Sequence, residues 1–167
     1  MLAGPPGDDS DTLPGGGGNF VGVDAAFPNT ISQNIFGLLP NTTYQLSFDT
    51  AAAQERGSLG TTTDFWTVTL GSSSAQMTLT PTTPPTITIP AQGFSGWMRE
   101  NLVFTTPSSI TSTGELLTFV AVGQGAPPFL LLDNVSLQAV PEPASWLLVG
   151  TGLLGLLAAR RSAKKCA

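Results

Sequence analysis

The chain has 167 residues, of which 41% are hydrophobic and only 10% charged, against roughly 25% charged residues in an average soluble domain. It has no histidine, and its single cysteine, Cys166, is the penultimate residue. An internal disulfide and Ser-His or Cys-His catalysis within this chain are therefore excluded. Residues 1–140 contain ten acids and two arginines, a net charge of −8, which argues against nucleic acid as a partner because phosphate backbones are repelled.

Residues 1–18 (MLAGPPGDDSDTLPGGGG) are acidic and rich in Gly and Pro, which predicts a disordered segment. A signal peptide needs a basic start followed by an apolar run, and this segment has neither. Because the C-terminal tail described below requires export, we expect a truncated or mis-started chain with coding sequence upstream. Export led by the tail itself is the alternative.

From about Phe20 the pattern changes to short segments rich in Thr and β-branched residues, with turn residues between them. About eight such segments, spaced by roughly ten residues and without a helical period before residue 144, predict an antiparallel β-sandwich of the jelly-roll type over residues 19–139. The predicted strands are Ile31–Phe36, Thr43–Thr50, Phe65–Leu70, Met77–Leu79, Ile87–Ile89, Met98–Phe104, Leu116–Val122 and Phe129–Gln138.

Residues 140–167 form a separate tail. Within it, residues 144–159 (ASWLLVGTGLLGLLAA) contain no charged side chain, and Arg160 and Arg161 follow. A helix of this length spans about 24 Å, so crossing a bilayer core of ~30 Å requires local thinning or snorkelling. The basic end favours a cytoplasmic C-terminus with the body outside; a buried core helix is the alternative. The predicted membrane-anchoring residues are Trp146, Leu147, Leu148, Leu153, Leu154, Leu156 and Leu157.

The tail contains Pro141, Glu142 and Pro143, then the apolar run, then Arg160 and Arg161. In this order the features closely resemble the PEP-CTERM sorting signal of Gram-negative bacteria, over residues 140–161. The resemblance implies export, an inner-membrane-anchored intermediate, and cleavage by exosortase at or near the Pro-Glu-Pro motif. It further implies a final place in the cell envelope, on the outer surface or in the extracellular matrix, associated with exopolysaccharide and biofilm.

Two segments of the body, Gly37–Asp49 (GLLPNTTYQLSFD) and Leu130–Leu137 (LLLDNVSL), look like segments of carbohydrate-binding-like jelly rolls in the galactose-binding superfamily. Phe94–Trp97 fits the middle of such domains. The resemblance spans roughly residues 30–138 and describes positions in the fold more than a function. Members begin with further strands carrying an NGSFE-type segment, so we expect the sandwich of this chain to be incomplete.

Aromatic side chains are the first candidates for ligand contact, since an aromatic face suits the apolar face of a sugar ring. Trp97 follows Gly96 in a loop-like stretch and is the better candidate. Trp66 and Tyr44 are in phase with the apolar residues of their segments, and for Trp66 core packing is favoured over stacking.

Three charged residues of the body are further candidates. Arg99 could contact an acidic sugar, although an ion pair with a nearby carboxylate is favoured. Asp49 and Asp133 end strand-like segments and could hold a structural Ca²⁺ together with backbone carbonyls; capping of turns is the commoner role. No other cofactor is expected. Without histidine or a supporting spacing of carboxylates, an enzyme is disfavoured.

Two functional hypotheses remain open. The body is either a module that binds exopolysaccharide or a structural matrix or adhesion protein without a defined ligand. Aromatic residues exposed on one sheet face would favour the first hypothesis. The Thr-rich stretches at residues 61–63 and 78–88 favour the second, since small hydroxyl side chains make an uncharged, hydrated surface.

Overall fold

The computed structural model describes residues 19–27, 29–55, 57–71, 77, 79, 85–110, 114–125 and 128–141. Among these residues there is no helix long and apolar enough to cross a membrane. The predicted helix at 144–159, with its anchoring residues, lies outside the described residues, as does the segment 1–18. The strands are β1 (Val21–Asp24), β2 (Thr30–Ile35), β3 (Thr43–Gln54), β4 (Thr62–Leu70), β5 (Ile87–Ile89), β6 (Met98–Thr105), β7 (Glu115–Gln124) and β8 (Pro128–Ala139).

The strands pair in a nested order. The first pairs with the eighth, the second with the seventh, the third with the sixth and the fourth with the fifth, all antiparallel. Two four-stranded sheets result, which we name sheet A (β1-β8-β3-β6) and sheet B (β2-β7-β4-β5). Nested pairing across two packed sheets is the topology of a jelly roll, so the predicted all-β sandwich is confirmed.

Two strands, β3 and β4, differ from their predicted bounds by more than two residues, and β1 was not predicted. The predicted strand Met77–Leu79 is wrong, since in the described residues Met77 forms only an isolated bridge with Leu70. β3 continues from Thr50 to Gln54, and β4 begins at Thr62 rather than Phe65. Ala51–Ala53 have low intrinsic β propensity, but they are buried on an internal strand of sheet A, where packing outweighs propensity. β1 pairs with the start of β8 and is the fourth strand of sheet A. The sequence resemblance predicted an incomplete sandwich, whereas each sheet has four strands among the described residues.

Alternating side chains of β3 and β4 fill the space between the sheets. Trp66, only 1% exposed, lies in this core. Its ring packs edge-on against Phe119 with centroids 5.9 Å apart, and its Nε1 donates a hydrogen bond of 2.8 Å to Thr50 Oγ1. The ring has no free face for a ligand, so the interpretation of Trp66 as a stacking residue is wrong and core packing is confirmed. Tyr44 is also buried, stacked on Phe104.

A carboxyl group also points into the core. Asp64 is fully buried on the inward side of β4. Its Oδ2 accepts a hydrogen bond of 3.1 Å from Thr62 Oγ1, whereas its Oδ1 has no hydrogen-bond partner in the described part of the chain. A Cβ at Gly123 would lie 2.5 Å from that Oδ1, so the carboxyl group occupies space that only glycine leaves open. Burial raises the pKa of Asp64 to about 6, against the small opposing effect of the Thr62 hydrogen bond.

We expect Asp64 to make the protein less stable as the pH rises. Because its pKa rises from 3.8 to about 6 on folding, the folded state favours the neutral acid. The stabilisation is complete below pH 3.8 and is lost as the pH rises through 6, a change of about 3 kcal/mol in the free energy of unfolding. Urea denaturation at a series of pH values, compared between the wild type and Asp64→Asn, measures this contribution. Parallel curves for the two proteins between pH 4 and 7 would contradict it.

Candidate functional site

The outer face of sheet A is the solvent side of its three longest strands. Successive side chains of a strand alternate between faces, so the residues of β3 that do not enter the core lie here, beside their partners on β6 and β8. From residue 45 to residue 53 the face is about 27 Å long by strand rise. It comprises Gln45, Ser47, Asp49, Ala51 and Ala53 of β3, Arg99, Asn101 and Val103 of β6, and Phe129, Leu131, Asp133, Asn134, Ser136 and Gln138 of β8.

An aromatic cluster, Phe20, Phe94 and Trp97, lies at one end of this face. Phe94 and Trp97 are half-buried and pack on three buried side chains of the sheet. Phe20 is exposed, and its ring meets that of Trp97 edge-on with centroids 5.7 Å apart. The three side chains beneath the rings are those of Ala51, Ala53 and Leu131. The two alanines are short and leave room for the rings.

A bent segment before β6 places Trp97. Ser95 is fixed to β3, since its N–H donates to the Ala52 carbonyl at 2.9 Å and its Oγ accepts from the Ala52 N–H at 2.8 Å. Gly96 then has a φ of +77°, a conformation that glycine adopts at no steric cost. The backbone turns here before β6 begins at Met98, and Trp97 is left on the outer side of the sheet.

A buried carboxylate organises the middle of the face. Asp49 Oδ2 accepts hydrogen bonds from Arg99 Nη1 at 3.0 Å and from Asn134 Nδ2 at 2.8 Å. Asn134 reaches Asp49 from a β-bulge, because β8 advances three residues from Ser136 while β3 advances two from Ser47. The φ of Asn134 is +48°, and asparagine tolerates this left-handed conformation better than most residues.

Arg99 is held in place without being covered. Its side chain is 46% exposed while its partner Asp49 is buried. A guanidinium carries five N–H donors, and within the described part of the chain the bond to Asp49 engages one of them. The ion pair favoured by the sequence is confirmed, with Asp49 as the partner, and the remaining donors are available to a ligand.

The two aspartates proposed for calcium are neighbours. Asp49 and Asp133 are partners in the β3–β8 register. Asp133 Oδ1 accepts the Asn134 backbone N–H at 2.7 Å. Among the described residues, no group of three or more acidic, His or Cys side chains is placed to hold a metal ion. The calcium site stays a prediction.

Amide and hydroxyl groups cover the other end of the face. Asn101 Oδ1 accepts hydrogen bonds from Gln45 Nε2 at 2.8 Å and from Ser47 Oγ at 2.9 Å. Gln138 Nε2 lies 3.4 Å from Ser136 Oγ, a long hydrogen bond. These mutual bonds fix the side chains in one arrangement, and each amide keeps further donors and acceptors for a hydroxyl-rich ligand.

The sequence indicated only part of this site. It selected Trp97 and Arg99, and the structure brings both to one face. It missed Phe20 and the paired amides Gln45 and Asn101. The alternation of polar side chains at residues 45, 47 and 49 was visible in the sequence. Their partners are fifty or more residues away and depend on the register between strands.

The fold and this face define a jelly-roll domain with a candidate binding surface on one sheet. The chain also carries a PEP-CTERM protein-sorting motif, since residues 139–162 match the model of that motif, as the sequence resemblance predicted. The motif implies an exported protein.

The body is similar to two solved structures. One is a Family 16 Carbohydrate Binding Module-2, with 20% identity and a TM-score of 0.44, covering 74% of this chain and 79% of that one. The other is the N-terminal cellulose-binding domain of β-1,4-glucanase C from Cellulomonas fimi, with 18% identity and a TM-score of 0.43 over the same shares. None of the curated proteins matches the chain.

The two tryptophans should respond differently to truncation. Trp66→Ala removes a core ring and leaves a cavity, so a loss of about 3–5 kcal/mol in the free energy of unfolding is expected. Trp97→Ala removes a half-buried ring at the surface and should cost about 1 kcal/mol. Chemical denaturation of both variants tests this, and equal losses would contradict the placement of Trp97 on an accessible face.

Proposed function

We propose that this protein is an exported cell-surface or extracellular-matrix protein whose body binds polysaccharide through the outer face of sheet A. The observation that carries the proposal is the juxtaposition of Trp97 with Arg99 and an ordered row of amides on one face. An aromatic face suits the apolar side of a sugar ring, and amides and hydroxyls match its hydroxyl groups. Arg99 adds attraction for carboxylated or otherwise anionic sugars.

The body is proposed to bind and not to catalyse. Hydrolysis of a glycosidic bond uses two carboxyl groups that flank the bond. Two of the described acids do not fit this role, since Asp64 is fully buried and Glu115 nearly so. Neither presents its carboxyl group to a ligand on the surface. The outer face of sheet A is instead built from an aromatic cluster, amides and a cation, and its Asp49 carboxylate is buried and bonded to Arg99 and Asn134.

The tail is proposed to hold an intermediate at the inner membrane of a Gram-negative bacterium through residues 144–159, until exosortase cleaves at or near Pro141–Pro143. The end of the body supports this order of events. Val140 N–H donates to the Thr43 carbonyl at 2.8 Å, which ties the end of β8 to the start of β3. Pro141 is exposed directly afterwards, so the Pro-Glu-Pro motif begins where the folded body ends.

A structural matrix or adhesion role is the second candidate. The outer face of sheet B favours it, because in the described strands this face bears no charged side chain and is rich in hydroxyls. Its residues are Thr30, Ser32, Asn34, Thr63, Phe65, Thr67, Thr69, Thr88, Leu116, Thr118, Val120, Val122 and Gln124. Such a surface fits hydrated packing in a matrix.

Polysaccharide binding should depend on Trp97. Affinity electrophoresis in gels containing neutral or acidic polysaccharides would measure it. Trp97→Ala should weaken binding by roughly fivefold to tenfold, since a stacking contact contributes about 1 kcal/mol. Arg99→Gln should weaken binding to acidic polysaccharides more than to neutral ones. Phe65→Ala, which changes a half-buried aromatic on sheet B, is the matched control and should bind like the wild type.

The contrary results discriminate between the two candidates. Failure of the wild type to bind any polysaccharide would contradict the binding module and favour the matrix role. Binding that is lost in Phe65→Ala but kept in Trp97→Ala would place the site on sheet B and contradict the proposed site on sheet A.

Sorting should remove the tail. The chain is expressed behind a working signal peptide in a host with exosortase, and the mass of the mature C-terminus is measured. We expect loss of the residues that follow the Pro141–Pro143 region, and retention of the Ala167 terminus in Glu142→Ala. An intact Ala167 in the wild-type membrane fraction would contradict processing, and an intact soluble cytoplasmic product would contradict export.

A further inference from the structure

Apolar side chains are exposed at the end of the sandwich where the chain leaves it. We define the tail-side patch as Phe36, Leu38, Leu39 and Ile110. Phe36 is 67% exposed and Leu39 62% exposed. With their neighbours, Phe36, Leu38 and Ile110 line a groove of about 290 Å³. Large apolar side chains grouped at one surface commonly mark a contact with another apolar phase.

Hydrogen bonds hold the loop that bears this patch. The Leu39 N–H donates to Tyr44 Oη at 2.9 Å, and the Leu39 carbonyl accepts from Thr106 Oγ1 at 2.6 Å. The Leu39 backbone is therefore fixed on both sides while its side chain remains in solvent. The ring of Phe36 lies over Gly114, where a Cβ would approach it to 2.9 Å and where φ is +85°. These contacts hold the side chains of Phe36 and Leu39 in their exposed positions.

The chain leaves the body beside this patch. Ala139 ends β8, and Val140 is tied to Thr43 at the start of β3. The loop that bears Phe36 and Leu39 leads directly into that same strand. Only residues 141–143 separate Val140 from the uncharged run 144–159, and three extended residues span at most about 10 Å. A membrane-inserted tail therefore keeps this end of the body at the lipid headgroups.

The charges of the described residues agree with that orientation. Glu115 is the acid nearest the patch, and it is buried. Asp24, Glu55 and Asp64 lie at the opposite end of the sandwich, where β1, β3 and β4 end or begin. An acidic body is repelled by anionic lipid, so the orientation with its acids turned away from the bilayer is favoured.

We propose that the tail-side patch is a lipid-contact surface, in which Phe36 and Leu39 enter the headgroup region of the bilayer while the tail is inserted. The inference rests on the proposed membrane-anchored intermediate and adds a second contact to it. Two contacts, tail and patch, fix the tilt of the body relative to the bilayer, whereas a single contact does not. The outer face of sheet A then rises from the membrane with its aromatic cluster at the far end.

Site-specific quenching tests this contact. The full chain, in a Cys166→Ser background, is reconstituted in vesicles of phosphatidylethanolamine and phosphatidylglycerol. A polarity-sensitive NBD label is attached to Leu39→Cys, to Leu59→Cys, or to Leu153→Cys in the tail. Leu59 is the matched control, a leucine that is 81% exposed in the loop at the opposite end. A lipid with a nitroxide on its headgroup is the quencher for residues 39 and 59, and a lipid with a nitroxide in the middle of its acyl chain is the quencher for residue 153. A label at Phe36→Cys repeats the headgroup measurement.

We expect the label at residue 39 to shift its emission to shorter wavelength and to lose emission with the nitroxide lipid, while the label at residue 59 does neither. No quenching at residues 36 and 39, with quenching in the tail, would overturn the lipid contact and leave the anchor intact. No quenching in the tail would overturn the anchor itself. A blue shift at residue 39 without quenching would show that protein, the tail or a second copy, covers the patch, and would also overturn the inference.

Discussion

The strand β3 couples the core to the candidate site. It lies between β8 and β6 in sheet A, and its side chains alternate between the two faces. Tyr44, Leu46 and Phe48 therefore enter the core, while Gln45, Ser47 and Asp49 are held on the outer face by the same backbone. A shift of the register by one residue would exchange the two sets. The arrangement of the site is thus fixed by the packing that holds the two sheets together.

The hydrogen bonds of Asp49 to Arg99 and Asn134 lie next in sequence to a hydrogen bond of the core. The next residue, Thr50, points inward and accepts the hydrogen bond of Trp66, so adjacent residues anchor the outer network and the core. A partly exposed ion pair adds little net stability, because solvent screens it and desolvation opposes it. The Asp49–Arg99 ion pair contributes by positioning a side chain. It orients a half-exposed guanidinium beside the aromatic cluster, at a bulge that carries Asn134 toward the carboxylate.

Local patterns in the sequence predicted the features that depend on neighbouring residues. The alternation in residues 43–50 gave β3 and its inward face, and the phase of Trp66 correctly favoured the core. The order of Pro141–Pro143, an apolar run and two arginines identified the sorting motif. Features that depend on distant partners could not be predicted. The choice of Asp49 by Arg99 and the contact of Phe20 with Trp97 follow from register and loop geometry across the fold.

The two ends of sheet A serve different parts of the proposed function. The aromatic cluster packs on Ala51 and Ala53, whereas the chain leaves the body beside Thr43. These positions are separated by roughly 30 Å along β3. A polysaccharide bound at the cluster would lie well clear of a membrane that holds the tail. The last backbone hydrogen bond of the described body joins Val140 to Thr43. Cleavage beyond Pro141 therefore keeps all the contacts described above for the binding face. Release from the membrane and binding to a matrix are therefore compatible in one folded state.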